Sequence, residues 1–419
     1  MRVWLQYLLM FSLTFLLARW PLLAQVSMAE FLQSVNTDHE TASFGEQIQY
    51  LDTKPYRLSL LQKMEFRTES NQLDPSRQDY GLRFNPANPW EIKKNNNYYE
   101  QYKAVLYLRK DLALKDALMV RYHYIIQWLY YDAMKSVKEE NKQLTTAQIS
   151  ILEKQRHSDF FNAEDFVELK LDQMEQTVEL EEVTFERDNQ LSKMAGVYPA
   201  MAQKQLDWRY ENIISVDRIE GIVDSLSKLQ STPTTLLFRE NQIELANREY
   251  LLEKSNINIG FLQTQYQQYR IEQGRNPWSI SLGVTIPIAN PNKGDMTKRK
   301  LDVIEAQHER DETEAELMTD KTGSREQLKN LIARYRDIRE KISALNESTL
   351  SSTLSAMKED NPAVSLRFAA NVLKLKTLEI KIKQNILITY IEFLGYTDMI
   401  QRQPLINYLN EDLEQIGIQ

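Results

Sequence analysis

Residues 277–288 read PWSISLGVTIPI, and apolar residues alternate in this stretch with small or polar ones. A strict period of two is typical of a β-strand, because successive side chains point to opposite faces of the sheet. One face carries Trp278, Ile280, Leu282, Val284, Ile286 and Ile288. The other face carries Ser279, Ser281, Gly283, Thr285 and Pro287. The stretch therefore predicts a strand with one apolar face and one face of small residues.

Two environments suit such a strand. In a soluble sheet the apolar face packs on a protein core, and this is the commoner case. In an outer-membrane barrel the apolar face contacts lipid, while the small polar face lines a watery lumen. A spanning strand needs about 9–11 residues, so the stretch is long enough for either environment, and its pattern alone leaves both open.

Two strand hairpins are predicted, over about residues 56–86 and over residues 256–289. In the first hairpin, apolar residues such as Met64 and Phe66 alternate with charged ones. The second hairpin begins with an alternating segment that carries Ile257, Ile259 and Phe261 on one face. The quoted stretch forms its second strand.

Long helices follow each hairpin. Residues 98–155 contain no Pro or Gly, and apolar residues recur there at helical spacing. The sequence predicts one long helix pair over about residues 97–195 and another over residues 296–397. Polar breaks at residues 157–165 and 358–362 reverse the chain within each pair. Helices of such length are typical of coiled-coil packing or of a tube.

The second half of the chain repeats the order of the first: lead-in helix, hairpin, long helix, reversal and return helix. The tripeptide Ala-Asn-Pro closes each hairpin, at residues 87–89 and again at 289–291. This offset predicts an internal duplication of about 200 residues. The predicted boundaries are a first repeat at 28–233 with a mixed equatorial segment at 187–233, a second repeat at 234–400, and a C-terminal tail at 401–419.

Composition excludes several classes of protein. The chain has 419 residues, 26% charged residues, a net charge of −8 and no cysteine, and its mean hydropathy is −0.51. These values argue against a multi-span helical membrane protein, a nucleic-acid-binding face and thiol chemistry. The four histidines lie far apart in the sequence. We therefore expect no catalytic residues, no metal site and no cofactor.

The N-terminus reads MRVWLQYLLMFSLTFLLARWPLLAQ. An early Arg, an apolar run and a small residue at the end form the order of a secretory signal. We therefore predict a signal peptide over residues 1–24. A buried or membrane-anchoring helix is the alternative, although the apolar run is short for a span.

Four strands cannot close a barrel, and an open sheet edge is not tolerated in lipid. If several copies pool their hairpins, the edges disappear. Three copies would supply twelve strands, and the same assembly would let the long helices close into a tube. The predicted fold class is thus mainly α with a small β part.

Four segments resemble the TolC-like outer membrane efflux proteins. Residues 276–307, NPWSISLGVTIPIANPNKGDMTKRKLDVIEAQ, are similar to the fourth strand and following helix of that family. Residues 231–263, STPTTLLFRENQIELANREYLLEKSNINIGFLQ, are similar to the lead-in helix and third strand. FNAEDFVELKLDQ at 161–173 resembles the helix after the first reversal, and IKQNILITYIEFLGY at 382–396 resembles the end of the last long helix.

The resemblance implies a homotrimer with a twelve-stranded barrel in the outer membrane lipid and a periplasmic helical tunnel. It also implies docking to a periplasmic adaptor protein and an inner-membrane transporter, with small molecules or polypeptides as cargo. The chain departs from the family in two ways. Its first hairpin is more charged and has a short second strand, and its reversals lack the Val-Gly-Leu type of tip.

Three groups of residues are candidate sites. The strand residues Trp278, Ile280, Leu282, Val284 and Ile286 are predicted to face lipid, with Trp278 either at the lipid interface or buried. The predicted adaptor-docking tips are His157, Phe160, Phe161, Asn162, Lys358, Asn361 and Pro362, for which helix capping is the alternative. A predicted acidic ring at the tunnel entrance consists of Glu347, Glu359 and Asp360, for which a solvated acidic turn is the alternative.

These features favour a passive outer-membrane duct of a tripartite efflux or type I secretion machine, without enzymatic activity. The rival hypothesis is a soluble periplasmic coiled-coil scaffold that binds partners and conducts nothing. An exported hydrolase is disfavoured because the sequence offers no nucleophile or metal pattern.

Overall fold

A computed structural model of the chain describes residues 26–53, 58–70, 77–157, 161–202, 206, 208–229, 232–285, 292–347 and 362–417. The helices are α1 (Met28–Gln33), α2 (His39–Thr53), α3 (Pro89–Lys154), α4 (Ala163–Val197), α5 (Val216–Ser227), α6 (Thr234–Ser255), α7 (Tyr269–Glu272), α8 (Lys293–Glu347) and α9 (Pro362–Tyr396). The strands are β1 (Leu61–Ser70), β2 (Gln78–Pro86), β3 (Gly260–Gln267) and β4 (Trp278–Val284). The predicted signal peptide lies outside the described residues.

The order of elements occurs twice in the chain. Strands β1 and β2 precede the long helices α3 and α4, and strands β3 and β4 precede the long helices α8 and α9. The mainly helical composition with four strands is confirmed. The predicted repeat boundaries and the predicted signal peptide stay predictions.

Helix α3 begins at Pro89, eight residues before the predicted start. Proline fits the first position of a helix because its missing N–H has no partner there. The side-chain oxygen of Asn88 accepts a hydrogen bond from the Trp90 backbone N–H at 3.0 Å and caps the helix. The run of three asparagines at 95–97 hid the helical periodicity in the sequence.

The chain divides into two compact units. The first unit comprises Met1–Asp38, Leu114–Ser231 and Asp320–Gln419, and the second comprises His39–Ala113 and Thr232–Thr319. The sheet lies in the second unit, together with α2, α6 and the first parts of α3 and α8. There, Arg248 of α6 donates to the Asn97 carbonyl of α3 at 2.6 Å, and Arg299 of α8 pairs with Glu249 of α6 at 3.0 Å.

In the first unit, α3 and α4 pair antiparallel. Lys138 contacts Glu179 at 2.6 Å, and the Gln173 amide donates to the Thr146 hydroxyl at 2.9 Å. Close to the reversal the helices are held by polar contacts of this kind rather than by a broad apolar seam. Such surface contacts are individually weak, so packing elsewhere stabilises this unit.

That packing is a large apolar core, and the C-terminal tail belongs to it. Ile400, Leu405 and Leu409 are fully buried beside helices α3, α5 and α9. The Tyr122 hydroxyl of α3 donates to the Ile406 carbonyl at 2.8 Å and accepts from the Tyr408 N–H at 3.2 Å. The tail therefore closes the core rather than trailing from the last helix.

None of the helices in the described ranges combines the length and the apolarity needed to cross a bilayer.

Candidate functional site

The four strands form one antiparallel sheet in the order β1-β2-β3-β4. Residues that face each other across an antiparallel pair lie on the same side of the sheet. The register sets Phe66 opposite Leu82, and Leu262 opposite both Phe84 and Leu282. One face is therefore apolar across all four strands. It carries Met64, Phe66, Tyr80, Leu82, Phe84, Leu262, Tyr266, Trp278, Ile280, Leu282 and Val284.

This apolar face is exposed to the surroundings. On β4, Ile280, Leu282 and Val284 are 76%, 75% and 71% exposed, and on β1 Phe66 is 66% exposed. A soluble protein rarely leaves so continuous an apolar surface uncovered. In the described part of the chain no core packs against this face.

Trp278 stands at the start of β4 and is 61% exposed. Its ring centroid lies 5.0 Å from that of Tyr266 on β3. Among the described residues no element covers Trp278, so the buried alternative finds no support in this part of the chain. Two adjacent amphipathic rings at one end of the strands suit a membrane–water interface. Of the predicted lipid-facing residues, Ile286 lies outside the described residues.

The opposite face of the sheet is polar. Rows of partners cross it, such as Glu65–Arg83–Gln263–Ser281. The Asp79 carboxylate accepts hydrogen bonds from the side chains of Gln265 and Gln267 at 3.0 and 2.8 Å. The sheet therefore has one apolar and one polar face, as residues 277–288 predict for a single strand.

The sheet is open at both sides. Strand β1 pairs only with β2, and strand β4 pairs only with β3, among the strands of the described chain. Each outer strand therefore presents unpaired backbone N–H and C=O groups along one edge. The strands contain 10, 9, 8 and 7 residues in chain order. Open edges beside an exposed apolar face define the candidate site.

Strand β3 differs from its prediction. It begins at Gly260 rather than near Ile257, because Gly260 has a φ of 134° that interrupts the extended chain. Phe261 consequently lies on the polar face, opposite Gly283. The Arg83 guanidinium carbon lies 3.6 Å from the Phe261 ring centroid. The alternation in the sequence did not indicate this aromatic–arginine contact, because the two residues belong to different hairpins.

The predicted docking tips are only partly described. His157 is exposed just after α3, and the Phe161 and Phe166 ring centroids are 5.9 Å apart. The Asn162 side chain accepts from the Glu164 N–H at 3.0 Å, so it caps α4. Pro362 is the first residue of α9. Phe160, Lys358 and Asn361 lie outside the described residues, and docking at these tips stays a prediction.

The predicted acidic entrance ring is likewise incomplete. Glu347 is the last residue of α8, while Glu359 and Asp360 lie outside the described residues. The described chain contains no group of three or more His, Asp or Glu side chains arranged to hold a metal ion.

Compared by sequence, the chain matches no family model and no curated protein. Compared by structure, it resembles several solved proteins along almost its whole length. The match to CusC, whose structures describe transmembrane channel formation, has a TM-score of 0.66 at 9% identity and covers 90% of this chain and 92% of CusC. A membrane protein from Pseudomonas aeruginosa matches with a TM-score of 0.65 at 11% identity, covering 89% and 90% of the two chains.

The outer membrane channel CmeC of Campylobacter jejuni matches with a TM-score of 0.62 at 10% identity, and the match covers 93% of this chain and 86% of CmeC. At such low identity, a likeness over most of both chains establishes a shared fold. The resemblance found in the sequence is thus confirmed at the level of the fold. The chain has the fold of the TolC-like outer membrane efflux proteins.

Proposed function

We propose that this protein is a passive outer-membrane duct through which small molecules or polypeptides leave the cell. One observation carries the proposal: an antiparallel sheet whose apolar face is exposed across all four strands and whose two edges pair with no other strand in the described chain. Lipid is the solvent that such a face requires. The fold shared with outer membrane channels supports the same conclusion.

The open edges argue for assembly. Inside a membrane each unpaired backbone group costs several kcal/mol, so the edges must pair with other strands. Strand β1 of one copy meets strand β4 of the next, and three copies close a barrel of twelve strands. The homotrimer needs no further partner to satisfy its strand edges.

The long helices of the three copies form a periplasmic tunnel in this proposal. Their tips dock a periplasmic adaptor protein, which joins the duct to an inner-membrane transporter. The duct itself performs no chemistry and needs no cofactor, since its partner supplies the work of transport. The predicted tips and the acidic ring at Glu347, Glu359 and Asp360 would lie at this end of the tunnel.

The rival hypothesis, a soluble periplasmic scaffold, gives no role to an exposed apolar sheet face. Cell fractionation separates the two hypotheses. We expect the protein in the outer-membrane fraction, soluble only in detergent, and as a trimer that dissociates on heating. Recovery as a monomer from the aqueous periplasmic fraction would favour the scaffold and refute the duct.

A further inference from the structure

The polar face of the sheet holds one large aromatic side chain among small and polar ones. Phe261 faces Gly283 across the β3–β4 pair. A Cβ atom added to Gly283 would lie 2.3 Å from the Phe261 ring, so the ring lies over the glycine. Only a residue without a side chain leaves room for the ring in this position. The neighbouring strand β2 then places Arg83 over the same ring.

Arg83 stacks on this ring, with its guanidinium carbon 3.6 Å from the ring centroid. At this distance the contact is a cation–π interaction, which holds the guanidinium in place and leaves its charge intact. Within the described part of the chain, Arg83 forms no ion pair, and its Nε atom is buried without a hydrogen-bond acceptor. The stacked guanidinium therefore has a fixed position and no ion-pair partner among the described residues.

The carboxylate directly across the strand pair does not neutralise Arg83. Glu65 is its register partner on β1. The Glu65 carboxylate instead binds Lys63 at 2.6 Å and Arg67 at 2.7 Å, so both of its oxygens are already occupied. The Lys63–Glu65–Arg67 cluster is itself positively charged.

The cationic residues of the polar face lie on the side nearest the helices, while Glu69 and Asp79 lie further along β1 and β2, so that the four described strands together carry no net charge. Residues 61–67 and 81–86 contain three cationic side chains and one carboxylate. The facing segments of β3 and β4, residues 260–265 and 279–284, contain no charged residue. In a barrel enclosed by low-dielectric lipid, charges of one sign focus the field along the lumen.

We propose that Arg83, stacked on Phe261, is the residue that makes the lumen of the duct selective for anionic solutes, those carrying carboxylate or phosphate groups. This inference rests on the proposed duct, in which three copies place three Arg83 side chains at one level of the lumen. A fixed guanidinium attracts carboxylate and phosphate strongly, because its donors match their oxygens in pairs.

The test is conductance of the purified trimer in a planar lipid bilayer across a gradient of KCl. We expect Arg83→Gln to lower the ratio of chloride to potassium permeability by about threefold, since a unit charge about 6 Å away changes an ion's occupancy by roughly that factor. Arg83→Lys keeps the charge and should keep most of the preference. Phe261→Leu should give an intermediate ratio, because the guanidinium loses its support.

Arg67→Gln is the matched control, since it removes one positive charge from the same face. Arg67 is already paired with Glu65, so we expect a smaller shift than for Arg83→Gln. Equal shifts in the two variants, or none in Arg83→Gln, would overturn the inference while leaving a conducting duct. A wild-type protein that forms no channel would overturn the proposed function and this inference together.

Discussion

The side-chain amide of Asn88 donates a hydrogen bond to the backbone carbonyl of Ser255 at 2.9 Å. Asn88 caps the start of α3, and Ser255 is the last residue of α6. The bond therefore joins the exit of the first hairpin to the entrance of the second. Asn88 is 5% exposed, so water cannot replace this bond.

We predict that Asn88→Ala lowers the free energy of unfolding by about 1–3 kcal/mol, because a cap and a buried hydrogen bond are lost together. Asn88→Ser is the control, since a serine hydroxyl can still cap the helix while the amide donor is lost. It should destabilise less than alanine does. Thermal unfolding in detergent, followed by circular dichroism, measures both variants. Equal midpoints for wild type and Asn88→Ala would contradict the role of this bond.

A charge on the apolar face should prevent membrane assembly. Ile280→Arg places a guanidinium where lipid is expected, at a cost of about 2–4 kcal/mol near the bilayer midplane. Ser281→Arg, one residue later, places the same group on the polar face. We expect the yield of heat-modifiable trimer to fall sharply for Ile280→Arg and little for Ser281→Arg. Similar yields for both would show that the two faces do not differ in environment.

Gly260 should tolerate no side chain. Its φ of 134° disfavours other residues, and an added Cβ would lie 2.0 Å from the Gly283 carbonyl oxygen. Gly260→Ala should therefore disrupt the pairing of β3 with β4 and abolish trimer formation. Gly274, with a φ of 68°, has open space around it, so Gly274→Ala carries only backbone strain of about 1 kcal/mol. A trimer of normal stability in Gly260→Ala would refute this assignment.

The predicted acidic entrance can be tested without reference to the sheet. If Asp360 belongs to a ring at the tunnel mouth, Asp360→Ala should weaken block of the conductance by divalent cations added on the periplasmic side. Arg83→Gln, far along the sequence in β2, should leave that block in place. Unchanged block in Asp360→Ala would remove the acidic ring and leave the fold untouched.

Alkaline pH should destabilise the helical unit through Tyr335. Burial raises the pKa of Tyr335 to about 12, with the nearby Glu379 carboxylate adding to the effect. An unfolded tyrosine titrates near pH 10. The stabilisation is therefore complete below about pH 10 and is lost as the pH rises towards 12. Tyr335→Phe should lose less stability between pH 9 and 11.5 than wild type in urea unfolding, and an equal loss would exclude Tyr335 as the cause.

Local patterns predicted much of the fold. The alternation around Ile280 predicted which residues of β4 share one face, and a lead-in helix was predicted ahead of the second hairpin, where α6 lies. Both features depend on residues close together in sequence, where the spacing of apolar residues and the helix-breaking residues act directly. The early start of α3 at Pro89 was missed because asparagines obscured the apolar period.

The contacts that distinguish this chain were not predictable in this way. Arg83 and Phe261 lie 178 positions apart in sequence, and only the β2–β3 register brings them together. Nothing in the alternation of either strand specifies that register. Likewise, the tail from Ile400 onward carries no strong period, and its burial depends on a core formed by distant helices.

The unpaired edges of β1 and β4 have a consequence for the newly made subunit. In the proposed duct, a single copy that has not yet inserted into the membrane exposes two unpaired strand edges beside an apolar sheet face. Such strand edges promote non-specific β-strand pairing between chains and fibril-like aggregation. Delivery of the subunit to the membrane must therefore be rapid or assisted by a chaperone. Expression beyond the capacity of that chaperone should yield insoluble aggregates rather than soluble monomers.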